Sequence, residues 1–487
     1  MEDFRLDLYF ENKLEELRHS KGKIQSVVRD EYFFEFHELC QDIKEYMSSK
    51  LSEGSEKFIE IQKKAIRGYE NEVNYFLKEI DKYLIDHNKQ DVLYPSWYDS
   101  LKIAIFHERW GFSGIYQWLK MNNSSSCKII GERIYFMENG KQTLQRQTIS
   151  SERLEQLKNA LLLGNPEKRK NDDYHEVYMA DGTRIEIFNK AKQHSVVFRK
   201  YVITAYTFEE QVRLKTIMHE MIPLLKSMVA CGFNVIFGGP PRTGKTSYLT
   251  TYQSYEDPTL EGVMIETDPE IPLHIIMPTA PILQLIVDDE ELEKVIKPLM
   301  RSDGDYLIMG EARTGRALNL AVEITKKGTR RVKMSFHTGS PVNFSFDVAQ
   351  MITKEVGGDI WANMVQVAEG FHYIFVLQQL PYDKSIKKLK GIYELRFDAE
   401  TLLISSHQIC KYDQQTDSWS FKYDIGERIE EVAYEEDPYS FETFKSELKL
   451  LSEKYPMTEN HVKISPYSRL MTGNFGVGGG SLQNVSS

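Results

Sequence analysis

A glycine-rich segment constrains the fold of this 487-residue chain more than any other feature. It follows the apolar run at residues 234–237 and reads Gly239-Pro240-Pro241-Arg242-Thr243-Gly244-Lys245-Thr246, and the chain continues as helix-compatible sequence. Glycine allows backbone angles that turn successive N–H groups toward one point. A helix that begins there directs its positive end to the same point. A strand, a GxxxxGK[ST] loop and a helix in this order predict a phosphate-binding P-loop.

The fixed positions of the loop have chemical roles. Lys245 brings a positive charge to the outer phosphates, and the Thr246 hydroxyl is a ligand for Mg²⁺. We therefore expect ATP and Mg²⁺ as cofactors. The alternative, an unrelated glycine-rich turn, does not account for the strand before the loop and the helix after it. The predicted nucleotide-binding residues are Gly239, Pro240, Pro241, Arg242, Thr243, Gly244, Lys245, Thr246 and Ser247.

Carboxylates follow two other predicted strands. The strand-like run at residues 305–310 ends at Glu311, and we expect it to lie beside the P-loop strand, with Glu311 near Mg²⁺ and the attacking water. Glu266, Asp268 and Glu270 lie where the strand at 263–266 gives way to a loop. A solvated acidic turn explains this second segment equally well.

Composition limits the partners and the setting. The net charge of −11 argues against a protein that coats nucleic acid, so we expect no stable nucleic-acid binding. The four cysteines are far apart and outside any CxxC or Cys/His cluster, so neither a disulfide framework nor a zinc site is expected, and a reducing cytosol fits best. The acidic start is unlike a signal peptide, and no apolar run reaches the roughly 18 residues of a membrane span. Work at a membrane would therefore require a partner.

The pattern of apolar residues divides the chain into four parts. An amphipathic helical pattern at 55–88 indicates a helix packed in a small bundle, or alternatively a helix that docks a partner. A long helix at 208–229 precedes the P-loop strand, and later strands at 263–266, 306–309, 332–336 and 373–377 alternate with helices. This alternation predicts a mostly parallel sheet with helices on both faces. The expected domains are a helical extension (1–92), a mixed α/β domain (93–204), the P-loop domain (205–430), and a C-terminal helix with a disordered tail (431–487).

The order of several segments resembles one family of motor proteins. Residues 132–141, 179–185 and 197–201 resemble its early strand and turn, its "ADGSR" segment and its "TIRKF" strand. After the P-loop, residues 265–270, 305–313, 335–341 and 376–379 resemble its acidic box, Walker B segment, histidine box and "IVQQ" strand. Over residues 101–397 the chain is therefore similar to the type II/type IV secretion ATPases, closest to the CpaF-like branch that powers tight-adherence pili.

The resemblance implies a fold and residue roles. The fold class would be α/β, a RecA-like P-loop NTPase domain with a mixed α/β N-terminal domain that clamps on nucleotide and an extra N-terminal helical region. Glu311 would polarise water and contact the metal, with Glu266 and Glu270 assisting. His337 would sense the γ-phosphate, or is alternatively a core histidine. Arg184 and Arg199 of the clamping domain would reach phosphate, although a structural ion pair is an open alternative for Arg199.

The resemblance also implies a machine and a setting. The expected function is that of an ATP-hydrolysing motor for pilus assembly or protein secretion. The motor would be a homo-oligomeric ring, expected to be a hexamer. It would bind a polytopic inner-membrane platform protein at the cytoplasmic face of the membrane. DNA transfer or uptake is one alternative, and a nucleotide-gated structural component with little turnover is another. The histidine box departs from the family pattern, with Arg330 and Arg331 where small residues are usual. This departure bears on turnover more than on binding.

Overall fold

The structure is a computed structural model with two compact units, Met1–Val202 and Ile203–Ser487. It describes residues 34–49, 55–163, 173–179, 182–200, 205–267, 270–287, 291–292, 294–295, 298 and 304–471. The division falls two residues before the boundary expected at 204/205, while the other domain boundaries stay predictions. Asp268 and the tail expected to be disordered at 473–487 lie outside the described residues.

The described part of the first unit begins with helices that share one apolar core. These are α1 (Phe34–Ser49), α2 (Ser55–Ile66), α3 (Glu70–Asp86) and α4 (Leu101–Arg109). Phe36, Phe76 and Phe106 are buried together in this core. The single helix expected at 55–88 is wrong: α2 ends in a Schellman-type turn, where Gly68 has φ +85° and the Tyr69 N–H bonds to the Lys64 carbonyl. The apolar periodicity persists across this turn, which is why the pattern concealed it.

The rest of the described part of the first unit is built on an antiparallel sheet of six strands, numbered β1 to β6 in chain order and arranged in space as β3-β2-β1-β6-β5-β4. Leu154 and Leu157 of a helix after β3 belong to the apolar core of this sheet. The elements are β1 (Ser126–Ile130), β2 (Arg133–Glu138), β3 (Lys141–Thr148), β4 (Tyr174–Tyr178), β5 (Arg184–Phe188) and β6 (Ser195–Arg199), with helices α5 (Tyr116–Lys120) and α6 (Ser151–Leu163). The unit is thus mixed α/β with an added helical region.

The second unit is built on a larger sheet in the order β15-β14-β13-β12-β7-β11-β10-β8-β9, with β16 paired to β14. The run from β12 to β9 is parallel, and β13 to β16 add antiparallel strands. This is an α/β, RecA-like P-loop domain. Its strands are β7 (Val235–Gly238), β8 (Gly262–Glu266), β9 (Ile282–Ile286), β10 (Tyr306–Met309), β11 (Lys333–Phe336), β12 (Tyr373–Gln379), β13 (Lys387–Asp398), β14 (Leu403–Asp413), β15 (Ser418–Phe421) and β16 (Val462–Ile464).

Helices cover both faces of the parallel strands. Successive residues of β7 point to opposite sides, so Val235 and Phe237 lie in one apolar core and Ile236 in the other. The helices are α7 (Phe208–Arg213), α8 (Ile222–Ala230), α9 (Lys245–Gln253), α10 (Leu273–Ile276), α11 (Gly315–Lys326), α12 (Phe344–Glu355), α13 (Ile360–Gly370), α14 (Glu427–Glu436), α15 (Pro438–Lys454) and α16 (Pro466–Met471). Helices α8, α9 and α15 pack on the first core, and α11 and α12 on the second.

Two expectations about this unit are wrong. The strand that leads to Glu311 does not lie beside the P-loop strand, because β11 is inserted between β7 and β10. The helix expected at 208–229 is interrupted: Lys215 has φ +61°, and the Thr216 carbonyl beside it accepts the Leu389 N–H of β13 at 2.9 Å. A tertiary hydrogen bond thus replaces local helix continuity.

Among the described residues, no helix has the length and apolar character needed to span a membrane.

Candidate nucleotide-binding site

The P-loop leaves the sheet through a turn that requires glycine. Gly239 has φ +146°, and a Cβ there would lie 2.3 Å from the Leu377 carbonyl oxygen of β12. Gly244 has φ +88° and immediately precedes α9. Pro240 and Pro241 have no backbone N–H, so the donors available to an anion come from the later loop residues and the first turn of α9. The loop is therefore shaped as a cradle whose donors lie on its helix side.

Lys245 lies within this cradle and is mostly buried. Its Nζ donates to the Pro240 carbonyl at 3.1 Å and lies 3.2 Å from Nδ1 of His337. Burial lowers the pKa of Lys245 to about 8, although the charges of Glu311 and Glu270 act in the opposite direction. A bound phosphate would restore a strong preference for the charged amine, because an adjacent anion favours the ammonium form.

His337 connects the P-loop to the carboxylate at the end of β10. It follows β11, and its Nε2 lies 2.8 Å from Oε1 of Glu311. The other oxygen, Oε2, accepts from Arg313 at 2.6 Å. Burial raises the pKa of Glu311, but Arg313 and His337 outweigh this effect and hold the pKa below its ordinary value. Glu311 is therefore an ionised carboxylate near neutral pH, joined to Lys245 through one imidazole.

The two other predicted carboxylates have different surroundings. Glu266, at the end of β8, is buried, and its Oε1 accepts the backbone N–H groups of Glu270 at 3.2 Å and Ile271 at 3.0 Å. Glu266 thus holds the loop after β8 in place. Glu270 lies closer to the P-loop helix, since its Oε2 accepts from the Thr246 hydroxyl at 3.4 Å.

These groups fit a nucleotide with Mg²⁺. A nine-residue helix begins at the loop, and Lys245 supplies a positive charge at its first turn. Thr246 and Glu270 bring a hydroxyl and a carboxylate together, which are ligand types that Mg²⁺ prefers. Glu311 contacts His337 and Arg313, so its predicted role as a metal ligand stays a prediction.

The remaining predicted loop residues form its frame. Arg242 has φ +64° at the tip, and its carbonyl accepts the side-chain amide of Gln379 at 2.9 Å. The Thr243 hydroxyl donates to the Pro240 carbonyl at 2.8 Å. Ser247 lies in α9, where its carbonyl accepts the Thr251 hydroxyl at 2.9 Å.

Arg313 and Gln379 were not assigned roles from sequence, although both lie in segments that were singled out. An opposite charge two residues after Glu311 was the available signal for Arg313. Nothing local marks Gln379, because the loop that it supports is 137 positions away in the chain. Long-range contacts of this kind are set by the sheet order.

Arg184 and Arg199 belong to the first unit and lie directly opposite each other on β5 and β6. Arg184 pairs with Glu176 at 2.8 Å and with Glu186 at 3.2 Å, and Arg199 lies 3.4 Å from the other oxygen of Glu186. The side chain of Arg199 is 42% exposed and that of Arg184 is 16% exposed. Of the two, Arg199 is more accessible to a ligand. The expected contact of either arginine with phosphate stays a prediction.

No family model and no curated protein matches the chain. Several solved structures are similar to it at low identity. The VirB11 ATPase of the Brucella suis type IV secretion system, in complex with sulphate, is 15% identical over 57% of this chain and 92% of its own, with a TM-score of 0.32. The Legionella pneumophila ATPase DotB is 13% identical over 72% and 88%, with a TM-score of 0.39. The pilus retraction motor PilT with bound ADP is 14% identical over 53% and 75%, with a TM-score of 0.40.

Proposed function

We propose that this chain binds ATP with Mg²⁺ at the P-loop and hydrolyses it. The observation that carries the proposal is the continuous contact from Lys245 through His337 to Glu311. It joins a phosphate-binding amine to an ionised carboxylate at the carboxyl edge of the same sheet. This edge is where ligands bind in open parallel sheets.

Each group has a distinct task in this proposal. Lys245 and the N–H groups at the start of α9 bind and neutralise the phosphates. The Glu311 carboxylate accepts a proton from the attacking water, for which its lowered pKa keeps it ionised. When bound, Mg²⁺ neutralises charge on the phosphoryl oxygens.

His337 also provides a route for coupling. Its two ring nitrogens contact Lys245 and Glu311. A phosphate that engages Lys245 competes for the same Nζ hydrogens and so changes the partners of the imidazole. Phosphate binding at the loop would thereby change the contacts of Glu311 through the single side chain of His337. Such a change in local contacts on ligand binding is a ligand switch.

Two substitutions test the proposal. Lys245→Ala should abolish ATP binding, since it removes the phosphate charge. Glu311→Gln should keep ATP bound but slow hydrolysis by about 10²-fold or more, the scale for a lost general base. Glu323→Gln on the exposed side of α11 is the matched control and should behave as wild type. Unchanged turnover in Lys245→Ala would refute the P-loop assignment, and rapid wild-type turnover that is unchanged in Glu311→Gln would move the base to Glu266 or Glu270.

A specific contact favours a second candidate, a nucleotide-gated component with little turnover. Arg313 forms an ion pair with Oε2 of Glu311, so this oxygen is less available to accept a proton from a water molecule. In this case wild-type turnover would equal that of Glu311→Gln, while Lys245→Ala would still lose binding. Arg313→Gln would then raise the rate, because it frees the carboxylate.

We further propose that the ATPase is a motor for pilus assembly or secretion. The support is the ordered set of sequence segments described above. A hexameric ring docked on a polytopic membrane platform at the cytoplasmic face is the proposed assembly. Light scattering with a nonhydrolysable ATP analogue tests the ring, and turnover should rise steeply with protein concentration. ATP-dependent binding of single-stranded or duplex DNA would instead favour a role in DNA transfer or uptake.

A further inference from the structure

A second group of chemically active side chains lies in the antiparallel part of the second unit. His407 on β14, Asp424 after β15 and His461 before β16 turn their ligand atoms toward one another, with all three atoms within 4.8 Å. Nδ1 of His407 and Nε2 of His461 each lie 2.8 Å from the same carboxylate oxygen, Oδ2 of Asp424. We refer to these three residues as the His–Asp–His cluster.

Backbone pairing brings the cluster together from three separate segments. Strand β16 pairs with β14, so that Val462 lies opposite His407, and the Gln408 N–H bonds to the His461 carbonyl at 2.8 Å. The positions of the side chains are thus fixed by the sheet. Exposed fractions of 14%, 20% and 19% for His407, Asp424 and His461 leave the cluster shielded yet open to small solutes.

We propose that the His–Asp–His cluster binds a divalent transition-metal ion, with Zn²⁺ as the preferred ion. Two imidazoles and one carboxylate are ligands that Zn²⁺ takes, and water would complete the coordination. Metal–ligand bonds of about 2.0–2.1 Å in a tetrahedral arrangement separate ligand atoms by about 3.3 Å. The two 2.8 Å contacts therefore need to widen by only about 0.5 Å to admit the ion.

The surroundings orient the ligands as a metal site requires. Arg396 donates to Oδ1 of Asp424 at 2.8 Å and leaves Oδ2 facing the imidazoles. Nε2 of His407 lies 3.1 Å from the Ser405 hydroxyl, which leaves Nδ1 facing inward. Partners of this kind fix the tautomer and orientation of metal ligands.

The charge balance also accommodates a cation. Arg396 binds the buried carboxylate of Glu394 through contacts of 2.5 and 3.0 Å, which offsets its own positive charge. The charge of Asp424 then remains to meet the ion. The cluster contains no cysteine, and its three members lie in separate segments of the chain, so no local motif marks it in the sequence.

The alternative is a cluster held by hydrogen bonds alone. Each imidazole can donate an N–H to Oδ2 of Asp424, and the Ser405 hydroxyl can serve His407 as donor or acceptor. Both states are chemically consistent, so a metal titration decides between them. A bound ion would fasten the segment that carries His461 to β14, and this role is independent of ATP hydrolysis.

The test uses the full chain after metal ions have been removed with EDTA and dialysis. The buffer contains excess Mg²⁺ and no nucleotide, so that Mg²⁺ occupies the oxygen ligands near Thr246. Isothermal titration with Zn²⁺ should give one ion per chain, and Co²⁺ should show the visible absorption of a low-symmetry N/O site. Zn²⁺ should raise the melting temperature, because it binds the folded state. The described cysteines are all buried, so they do not compete for the ion.

Variants tie the signal to the cluster. His461→Gln and His407→Gln should each abolish stoichiometric binding, while Ser405→Ala should weaken it by about 10–100-fold, as expected for an outer partner. His274→Gln, at an exposed histidine outside the cluster, is the control and should bind as wild type. Circular dichroism checks that each variant folds, and the two histidine variants provide independent tests. Absence of one-to-one binding by the wild type, or wild-type binding by both histidine variants, would overturn the proposal.

Discussion

Replacing Gly239 by alanine tests whether the P-loop owes its shape to that one glycine. The new Cβ would lie 2.3 Å from the Leu377 carbonyl oxygen and 3.0 Å from Oγ1 of Thr243. Leu377 cannot easily move, because β12 is hydrogen-bonded on both sides, to β7 and to β13. Gly239 also has φ +146°, a backbone conformation that costs a residue other than glycine about 1–3 kcal/mol.

The strain is relieved only if the loop moves away from β12, and nucleotide binding must then restore the loop. A cost of about 1–3 kcal/mol corresponds to ATP binding weakened by about 5–150-fold. Gly339→Ala is the matched control, since Gly339 lies shortly after the neighbouring β11 and a Cβ added there would meet no described atom within 4 Å. Titration of a fluorescent ATP analogue measures both variants. Wild-type affinity for Gly239→Ala, or equal losses in the two variants, would refute the reasoning.

Three further predictions concern stability and coupling. Burial holds the pKa of His372 well below its ordinary value, so only the unfolded state gains a proton as pH falls through about 6.5. The free energy of unfolding should therefore fall by about 2 kcal/mol between about pH 7.5 and 5. Urea melts should show a smaller pH-dependent change for His372→Asn. Glu256→Ala should destabilise the second unit by about 3–5 kcal/mol, measured by thermal melting, because it removes the carboxylate that forms an ion pair with the fully buried Lys333. Arg199→Ala should leave ATP binding within about tenfold, or about 1.4 kcal/mol, yet reduce turnover, with Arg133→Ala on β2 as control.

The sequence could predict the features that are formed by residues close together in the chain. The P-loop requires fixed residue types at fixed spacing, so the strand, the loop and α9 follow one another as expected. The alternation of strands and helices predicted a parallel sheet covered on both faces, which is confirmed. Both predictions depend on residues that are close in the chain.

Spatial order was not predictable in the same way. Parallel strands are joined by long crossovers, so adjacent strands in the chain need not be adjacent in the sheet. The insertion of β11 between β7 and β10 is such a case, and it is what places His337 between Lys245 and Glu311. The His–Asp–His cluster was missed for the same reason, because its members meet only when β16 pairs with β14.

Arg331, which departs from the motif that the sequence resembles, has a physical explanation just before the start of β11. Arg331, at φ +61°, donates to the Ala230 carbonyl at 3.1 Å and pairs with Glu436 of α14 at 2.7 Å. It also contacts Glu256, whose other oxygen binds Lys333 at 2.7 Å. Lys333 begins β11 and His337 immediately follows its end, about 13 Å away at about 3.3 Å per residue. Arg331 therefore anchors the chain just before β11 to α8 and α14, at the end of the strand away from Lys245, His337 and Glu311.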